Sequence, residues 1–269
     1  MDTETDISAT PYKISTITAT GSLNTILNLD AFYEHVDVND NIIYIEYGSS
    51  KLSSFFKGEN PKVANRKRKK NKTSKRFDNQ ITLIFRNIGN EKLKLTYTKT
   101  DINAKVFKNG NVQMTGLKSA DQGMDCMNYI YSQILYCNDN DNRIVEDISQ
   151  LHVASYNIQL INSDFRVNRG IIRNTLNTLM NNKYNLESLF EPCIYPGVKI
   201  KYMWNKNNIM GVCRCKEQCS CKKITIAVFQ SGCIIITGAQ ENKQIDVAYE
   251  YFNNILKDNE DIICKMKEV

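Results

Sequence analysis

Four of the nine cysteines stand within nine residues, in the run Cys213-Arg-Cys-Lys-Glu-Gln-Cys-Ser-Cys221. Thiolates are soft ligands, and four of them can complete a tetrahedral zinc site. The two C-x-C pairs are tighter than the usual C-x2-C knuckle, and they also allow disulfides under oxidation or unligated surface thiols. We expect no required cofactor, and structural zinc at Cys213, Cys215, Cys219 and Cys221 is one of these three alternatives.

Residues that could do catalytic chemistry are sparse. The chain has two histidines, His35 and His152, and neither stands in a recognisable arrangement with a nucleophile or with paired carboxylates. The sequence also has no phosphate-binding loop and no glycine-rich turn that opens a helix. It therefore predicts a protein that is not an enzyme and has no small-molecule substrate.

The composition is that of a folded protein. Of 269 residues, 42% are apolar, which is enough for a buried core. No stretch reaches the roughly 18 apolar residues of a membrane span, and the first 20 residues lack the pattern of a secretory signal. The odd number of cysteines in a chain of this length favours a reducing compartment over a disulfide scaffold. We expect an intracellular protein that does not bind a membrane.

Positive charge is concentrated in one stretch. Residues 51–80 hold 11 Lys or Arg against 2 Asp or Glu, a net charge of +9 in a chain whose total is +6. A single basic segment indicates a tethered arm, so charge alone does not establish a nucleic-acid partner. Its densest part, Asn65-Arg-Lys-Arg-Lys-Lys70, fits a nuclear-import signal, a DNA-contacting arm or a solvated, disordered loop.

An internal repeat organises the chain. The segment Val106-Phe-Lys-Asn-Gly-Asn-Val-Gln-Met-Thr-Gly116 recurs 122 residues later as Val228-Phe-Gln-Ser-Gly-Cys-Ile-Ile-Ile-Thr-Gly238. In each copy a two-residue turn signal ending in glycine separates two strand-like runs, which predicts a β-hairpin. A helical stretch follows each hairpin, and a weaker match, Tyr12-Lys-Ile14 with Tyr156-Asn-Ile158, begins each half.

The repeat predicts an α+β fold of two pseudo-symmetric units. Each unit reads strand, helix, several antiparallel strands and helix, so helices cover one face of a sheet and leave the other bare. Two such sheets side by side would form a curved saddle with helices on its convex face. The expected order is a flexible N-terminus (1–10), a first repeat (11–137) with a basic insertion (about 51–80), a linker (138–150), a second repeat (151–260) with a cysteine-rich insertion (about 205–222) and a tail (261–269). Residues 80–85 and 92–97 suggest an extra surface hairpin in the first insertion.

Two segments of the second half form a specific pair of motifs: Phe229-Gln-Ser-Gly-Cys-Ile-Ile-Ile-Thr-Gly-Ala239 and Phe190-Glu-Pro-Cys-Ile-Tyr-Pro-Gly197. With the duplicated unit, they resemble the TATA-box-binding protein (TBP) family, of which the chain looks like a divergent member. The resemblance covers nearly the whole chain apart from the termini and the two insertions. It implies binding in the minor groove of duplex DNA, with apolar side chains wedged between base steps to bend the duplex.

The resemblance implies which residues act as wedges. Phe107 and Phe229, beside the hairpin turns, would enter base steps, and Tyr195 matches the second wedge residue of the second half. The first half offers only Asn39 at the corresponding place, which implies a weaker wedge there. Without the repeat, the two phenylalanines would be interpreted as ordinary core residues.

The resemblance also implies a floor that faces the bases, and this floor is more polar than is usual for the family. Asn157 and Thr237 would face the central base pairs in the second half, as Thr115 and Lys13 would in the first. Neighbouring positions are Ser15, Gln113, Gln159 and Ile235, of which only the last is apolar. TATA specificity would be reduced, because polar side chains can hydrogen-bond to either kind of base pair.

Phosphate contacts would come from Lys118 and Lys201, whereas Asn111, Cys233 and Gln240 replace lysines expected from the resemblance. Fewer phosphate contacts imply weaker binding that depends less on salt.

The implied function is that of a general transcription initiation factor for AT-rich promoter DNA. It would recruit a B-type general initiation factor and the RNA polymerase machinery through the loop holding Glu191 and Cys193. The alternative is a saddle of the same fold that has lost TATA specificity and serves nonspecific DNA binding or protein interaction. The Asn-, Ile- and Lys-rich composition suits a large DNA virus or a protist, with action in the nucleus or in a cytoplasmic viral factory.

Overall fold

The computed structural model describes residues 6–48, 55–61, 78–86, 88, 101–138, 142–206, 210–216 and 218–264. The chain divides into two compact units, each holding one predicted repeat apart from exchanged strand ends. The first-repeat unit consists of Ile17–Ile158, and the second-repeat unit of Met1–Thr16 with Gln159–Val269.

Within its described residues, the first-repeat unit is an antiparallel sheet with two helices. Its strands follow the order β3-β2-β4-β5-β6-β1. The strands are β1 (Lys13–Ser22, whose first four residues belong to the other unit), β2 (Ile42–Tyr47), β3 (Phe56–Gly58), β4 (Gln80–Phe85), β5 (Ile102–Phe107) and β6 (Asn111–Leu117). The helices are α1 (Leu29–His35) and α2 (Ala120–Cys137), and a 3-10 turn covers Ile148–Gln150.

The second-repeat unit has the same plan. Its strands follow the order β7-β11-β10-β9-β8 and are antiparallel. They are β7 (Ser155–Arg166, whose first four residues belong to the other unit), β8 (Ser188–Leu189), β9 (Val198–Trp204), β10 (Lys222–Val228) and β11 (Cys233–Ala239). The helices are α3 (Arg173–Asn182), α4 (Asn242–Asp258) and α5 (Glu260–Ile263).

Period-two alternation in the strands decides which face of each sheet the helices cover. In β9, Val198, Ile200 and Tyr202 are buried, while Lys199 is exposed on the other side. Helix α4 buries Ile245, Ala248, Phe252 and Ile255, whose three- and four-residue spacing forms one apolar stripe, and it packs on β11. We call the sheet side opposite the helices the open face of each unit.

A buried glutamine shows that the repeat extends beyond the hairpin motif. The Gln122 side chain accepts a hydrogen bond from the Lys118 backbone N–H at 2.8 Å. Gln244, 122 residues later, accepts one from the Gln240 backbone N–H at the same distance. Both glutamines are about 5% exposed, so each satisfies a backbone donor that the entry into the helix would otherwise leave without a partner. The predicted α+β class and duplicated architecture are confirmed.

The interpretation of residues 80–85 as half of an extra surface hairpin is wrong. Strand β4 lies between β2 and β5 in the sheet, and its Ile81, Leu83 and Phe85 are buried. This strand occupies the place that β9 has in the second repeat. The run 92–97 and the basic run Asn65–Lys70 lie outside the described residues.

The ends of the repeats are more extensive than the sequence suggested. Residues 6–10, expected to be a flexible terminus, form part of the second-repeat unit, where Ala9 bridges Val167 and Thr10 exchanges hydrogen bonds with Arg166. In the expected linker, Ile144 and Val145 are buried and donate to the Asn138 side chain. Among the described residues, no helix combines the length and apolar content needed to cross a membrane.

Candidate nucleic-acid interface

The open face of the second-repeat unit carries polar and aliphatic side chains in register. Thr237 lies opposite Asn162 on β7 and Thr225 on β10, and its hydroxyl donates to the Asn162 side-chain oxygen. Ile235 lies opposite Asp164 in the same ladder. The predicted floor residues Thr237 and Ile235 therefore share one face.

Sequence reasoning missed Asn162 and Asp164 and expected Asn157 to face the bases together with Thr237. The ladder between β7 and β11 places Asn162 directly opposite Thr237. Asn157 and Gln159 are exposed, and their contribution to the floor stays a prediction. The register of β7 against β11 depends on pairing between residues 75 positions apart, such as Asn162 and Thr237. No local signal in β7 specifies this register.

Tyr195 and Phe229, the predicted wedge residues of the second repeat, are in contact. Their ring centroids lie 5.7 Å apart with the ring planes inclined at 58°, and both side chains are partly exposed. Gly197 lies against both rings, since a Cβ there would come within 2.9 Å of Tyr195 and 3.2 Å of Phe229. Only glycine leaves room for this ring pair.

The hairpin turns place the phenylalanines in the same way in both repeats. Phe229 is the last residue before its turn, and the Gly232 N–H donates to the Phe229 carbonyl at 3.0 Å. In the first repeat the Gly110 N–H donates to the Phe107 carbonyl at 2.9 Å. The two glycines have φ of +76° and +77°, which side chains other than glycine rarely adopt.

Arg173, the first residue of α3, connects the two wedge segments. Its guanidinium donates to the Pro196 carbonyl, next to Tyr195, and to the Gln230 side chain at 2.9 Å, next to Phe229. The guanidinium also lies 4.8 Å from the centroid of the Phe190 ring. Sequence reasoning missed this residue, because its hydrogen-bond partners are 23 and 57 positions away and no motif marks it.

Lysines of β9 lie beside the wedge. The Lys199 ammonium is 4.2 Å from the centroid of the Tyr195 ring, a cation–π contact. Lys201, predicted to contact phosphate, pairs with Glu187 on the surface, and such exposed pairs are weak enough to exchange for another anion. Lys118, the other predicted phosphate contact, is partly exposed at the start of α2, and its role stays a prediction.

Lys13 and Ser15, two predicted floor residues, converge on Asp164. The Ser15 hydroxyl donates to one carboxylate oxygen, and the Lys13 ammonium lies 3.5 Å from the other. Because Asp164 is the cross-strand neighbour of Ile235, these contacts bring both predicted residues to the open face of the second-repeat unit.

The open face of the first-repeat unit is polar throughout its centre. Thr115 lies opposite Thr18 and Asn103, and Gln113 lies opposite Thr20 and Lys105. The predicted floor residues Thr115 and Gln113 thus share one face. This surface can donate and accept hydrogen bonds but offers little apolar contact.

Asn39 is not the first-repeat counterpart of Tyr195. Asn39 precedes β2, and the first residue of β2, Ile42, lies opposite Phe85 at one end of β4. The residue that pairs with Phe107 is Gln80, at the other end of β4. Asn39 instead caps the start of β2 and accepts from the Tyr129 hydroxyl at 3.2 Å. Asn39 corresponds to Tyr195 only if β2 is matched with β9, whereas the strand order matches β4 with β9.

The register identifies the true counterpart. Val198 of β9 lies opposite Val228, and Ile81 of β4 lies opposite Val106, the matching valine of the repeat. Tyr195 stands three residues before Val198, so the matching position is Asp78, which is exposed. The aromatic neighbour of Asp78 in sequence, Phe77, lies outside the described residues.

The loop before Tyr195 is exposed. Glu191 and Cys193, the predicted partner contacts, are both on the surface, and the Glu191 carbonyl accepts from the backbone N–H groups of Ile194 and Tyr195 at 2.9 Å. Ile194 is 78% exposed, and Leu189 is 54% exposed. The loop therefore displays an acidic group beside apolar side chains.

The four clustered cysteines could hold a metal. Their sulfur atoms all lie within 4.8 Å of one another. Hydrogen bonds from the backbone and the hydroxyl of Ser220 lower the pKa of Cys215 to about 7, whereas burial raises the pKa of Cys221 to about 12.

The duplicated fold has counterparts among known proteins. A family model described as transcription factor TFIID, or TATA-binding protein, matches residues 156–259. Among solved structures, Methanococcus jannaschii TBP has the same fold, with a TM-score of 0.51 and 14% identity over 93% of this chain and 99% of that one. The fold and the second repeat of this chain are therefore similar to those of the TATA-binding protein family, which the repeated motif also resembles.

A TATA-box-binding protein-like protein of Acanthamoeba polyphaga mimivirus is similar to this chain, at 29% identity over 257 residues. The match covers 91% of this chain, which spans 64% of the length of that relative.

Proposed function

We propose that this protein is a general transcription initiation factor that binds AT-rich promoter DNA through the minor groove and bends it. The observation that carries the proposal is the contact between Tyr195 and Phe229 beside the open face of the second repeat. Two rings held together at such a place can enter one base step and unstack it. Unstacking costs a few kcal/mol, which contacts with the bent duplex offset.

Contacts within the protein hold the ring pair. Tyr195 and Phe229 come from separate loops, and Arg173 donates hydrogen bonds to a neighbour of each. Groups that are already ordered lose less side-chain entropy on binding, so more of the contact energy is left for distorting the duplex. Both rings remain partly exposed, as a wedge requires.

The open faces supply the groups that would read the minor groove. At A·T pairs the groove presents acceptors, whereas a G·C pair adds the guanine amino donor. The amide of Gln113 and the hydroxyls of Thr115 and Thr237 can donate to those acceptors. Lysines at the edge of the second-repeat face, among them Lys199 and Lys201, would contact phosphates and position the protein.

Recruitment of a B-type general initiation factor, and through it of RNA polymerase, is proposed for the loop before Tyr195. Glu191 and Cys193 are exposed there, and Ile194 presents an apolar side chain beside the acid. Such a mixed patch supports a protein partner rather than DNA, since a carboxylate repels phosphate. The viral source of the relative supports action in the nucleus or in a cytoplasmic viral factory.

A second candidate function is sequence-tolerant DNA binding or protein interaction by the same fold. The polar open face of the first repeat favours it, because Gln113 and its neighbours can pair with donors and acceptors alike. Discrimination between A·T and G·C pairs would then be small.

Energy transfer between dyes on the two ends of a short duplex distinguishes these functions. AT-rich and GC-rich duplexes of equal length are titrated with the full chain at two salt concentrations. The proposed factor binds the AT-rich duplex at least tenfold more tightly and brings its ends closer. Equal binding without a change in end-to-end distance would support the second candidate and contradict promoter bending.

A further inference from the structure

We infer that Cys213, Cys215, Cys219 and Cys221 bind one zinc ion, which fixes the connection between β9 and β10. The sulfur atoms of Cys213 and Cys219 lie 3.5 Å apart, and those of Cys215 and Cys221 lie 3.6 Å apart. All four lie within 4.8 Å of one another. A tetrahedral zinc ion with Zn–S bonds of about 2.3 Å separates its sulfurs by about 3.8 Å, close to this spacing.

The sheet holds both ends of the cysteine loop. At one end the Met203 N–H of β9 donates to the Gly211 carbonyl at 2.7 Å, and Gly211 packs on the Tyr202 ring with φ of +73°. At the other end Cys221 directly precedes Lys222, the first residue of β10, which lies opposite Trp204. The loop therefore closes a β-hairpin, and the metal would act at its tip.

The loop has little else to hold the four sulfurs together. Of its described residues, 213, 214, 216 and 218–220 are exposed. An exposed segment gains little from apolar burial, while fixing each residue costs backbone entropy. Four thiols that converge in such a segment are therefore best explained by a shared ligand, because metal binding supplies the free energy that a small core lacks.

Neighbouring groups suit a thiolate site. The Asn205 amide nitrogen lies 3.8 Å from the Cys221 sulfur and 3.4 Å from the Ser220 hydroxyl, so it can donate to a metal-bound sulfur from outside the ligand set. All four ligands would be cysteines, which leaves no open coordination position. The site is therefore structural rather than catalytic.

Two disulfides are the main competing state, since the two closest pairs could each oxidise. That state would explain the distances within each pair. It gives no reason for the two pairs to approach within 4.8 Å of each other, whereas a central ion requires it. Tetrahedral sulfur ligation also suits a single iron ion, which metal analysis separates from zinc.

The test measures metal content and sulfur oxidation on the full chain purified under reducing conditions. We expect about one zinc per chain by mass spectrometry of the elements, and none in a Cys213→Ser/Cys219→Ser variant. Cys193→Ser is the matched control, because Cys193 is an exposed cysteine outside the cluster, and it should keep the zinc. Cobalt added to chelator-treated protein should give the intense visible absorption of tetrahedral thiolate ligation.

Intact mass measured under non-reducing conditions tests the alternative that the four cysteines form two disulfides. A wild-type chain that is four hydrogens lighter and binds neither zinc nor cobalt would overturn the inference in favour of disulfides, and iron in place of zinc would overturn the metal assignment. If the double serine variant fails to fold, titration of chelator-treated wild-type protein with zinc decides. A saturable equivalence point at one ion per chain supports the site, and no uptake at micromolar zinc rejects it.

Discussion

The ring of Tyr195 lies 5.7 Å from the ring of Phe229, although 34 residues separate them in the chain. This distance falls within the 4.5–7 Å range in which aromatic pairs attract each other. The two loops that carry the rings are thus in contact through their aromatic side chains.

Arg173 is a positioning residue for the ring pair. Arg173→Ala removes the donor to the Pro196 carbonyl and to Gln230, so the two loops should separate. We expect a three- to tenfold loss of DNA affinity and a smaller bend, measured by energy transfer between duplex ends. Arg173→Lys should recover only part of the bend, because an ammonium lacks the planar fork that spans two acceptors. An unchanged bend in Arg173→Ala would show that the rings hold each other without it.

Lys199 and Lys201 should act on phosphate without regard to sequence. Changing either to alanine is expected to weaken binding to AT-rich and GC-rich duplexes equally. Each change should also reduce the slope of log affinity against log salt by about one. Lys257, an exposed lysine near the end of α4, is the matched control and should leave the slope unchanged when it is replaced by alanine. A loss confined to AT-rich DNA would contradict this role.

Gly232 should be required for the stability of the second hairpin. Its φ is +76°, and a Cβ there would come within 2.5 Å of the Arg169 carbonyl oxygen. Gly232→Ala is therefore expected to lower the free energy of unfolding by about 1–3 kcal/mol, as measured by urea denaturation. Ser231→Ala, an exposed neighbour in the same turn, should change it by less than about 0.5 kcal/mol. Equal effects at the two positions would exclude backbone strain as the cause.

Gln113 should reduce discrimination between base pairs. Its amide can accept from the guanine amino group as well as donate to adenine and thymine acceptors. Gln113→Val leaves that amino group without a partner, so the ratio of AT-rich to GC-rich affinity should rise several-fold. Competition between the two duplexes for limiting protein measures the ratio. A constant ratio would mean that Gln113 does not face the bases.

The sequence predicts what local patterns determine. The hairpin turns at Gly110 and Gly232, the following helices and the α+β class all follow from signals within a few residues. The spacing of the repeat then relates Phe107 to Phe229. What the sequence left open depends on pairing between distant strands.

Three residues show what local sequence patterns do not predict. Asn39 was matched with Tyr195 because the first insertion hides the equivalence of β4 and β9, which only the strand order reveals. Asn162 was missed because the register of β7 against β11 is set across 75 residues. Arg173 was missed because its role rests on contacts with two distant loops, which have no signature in its own helix.

A Tyr195→Ala/Phe229→Ala variant tests whether this ring pair bends DNA. Its matched control is Tyr136→Ala, which removes an 85% exposed ring from α2. Circular dichroism establishes that both variants are folded, and energy transfer between the ends of an AT-rich duplex then reports the bend. We expect the double variant to lose the bend and at least tenfold in affinity, while Tyr136→Ala matches the wild type. A folded double variant that bends the duplex as fully as the wild type would contradict this expectation.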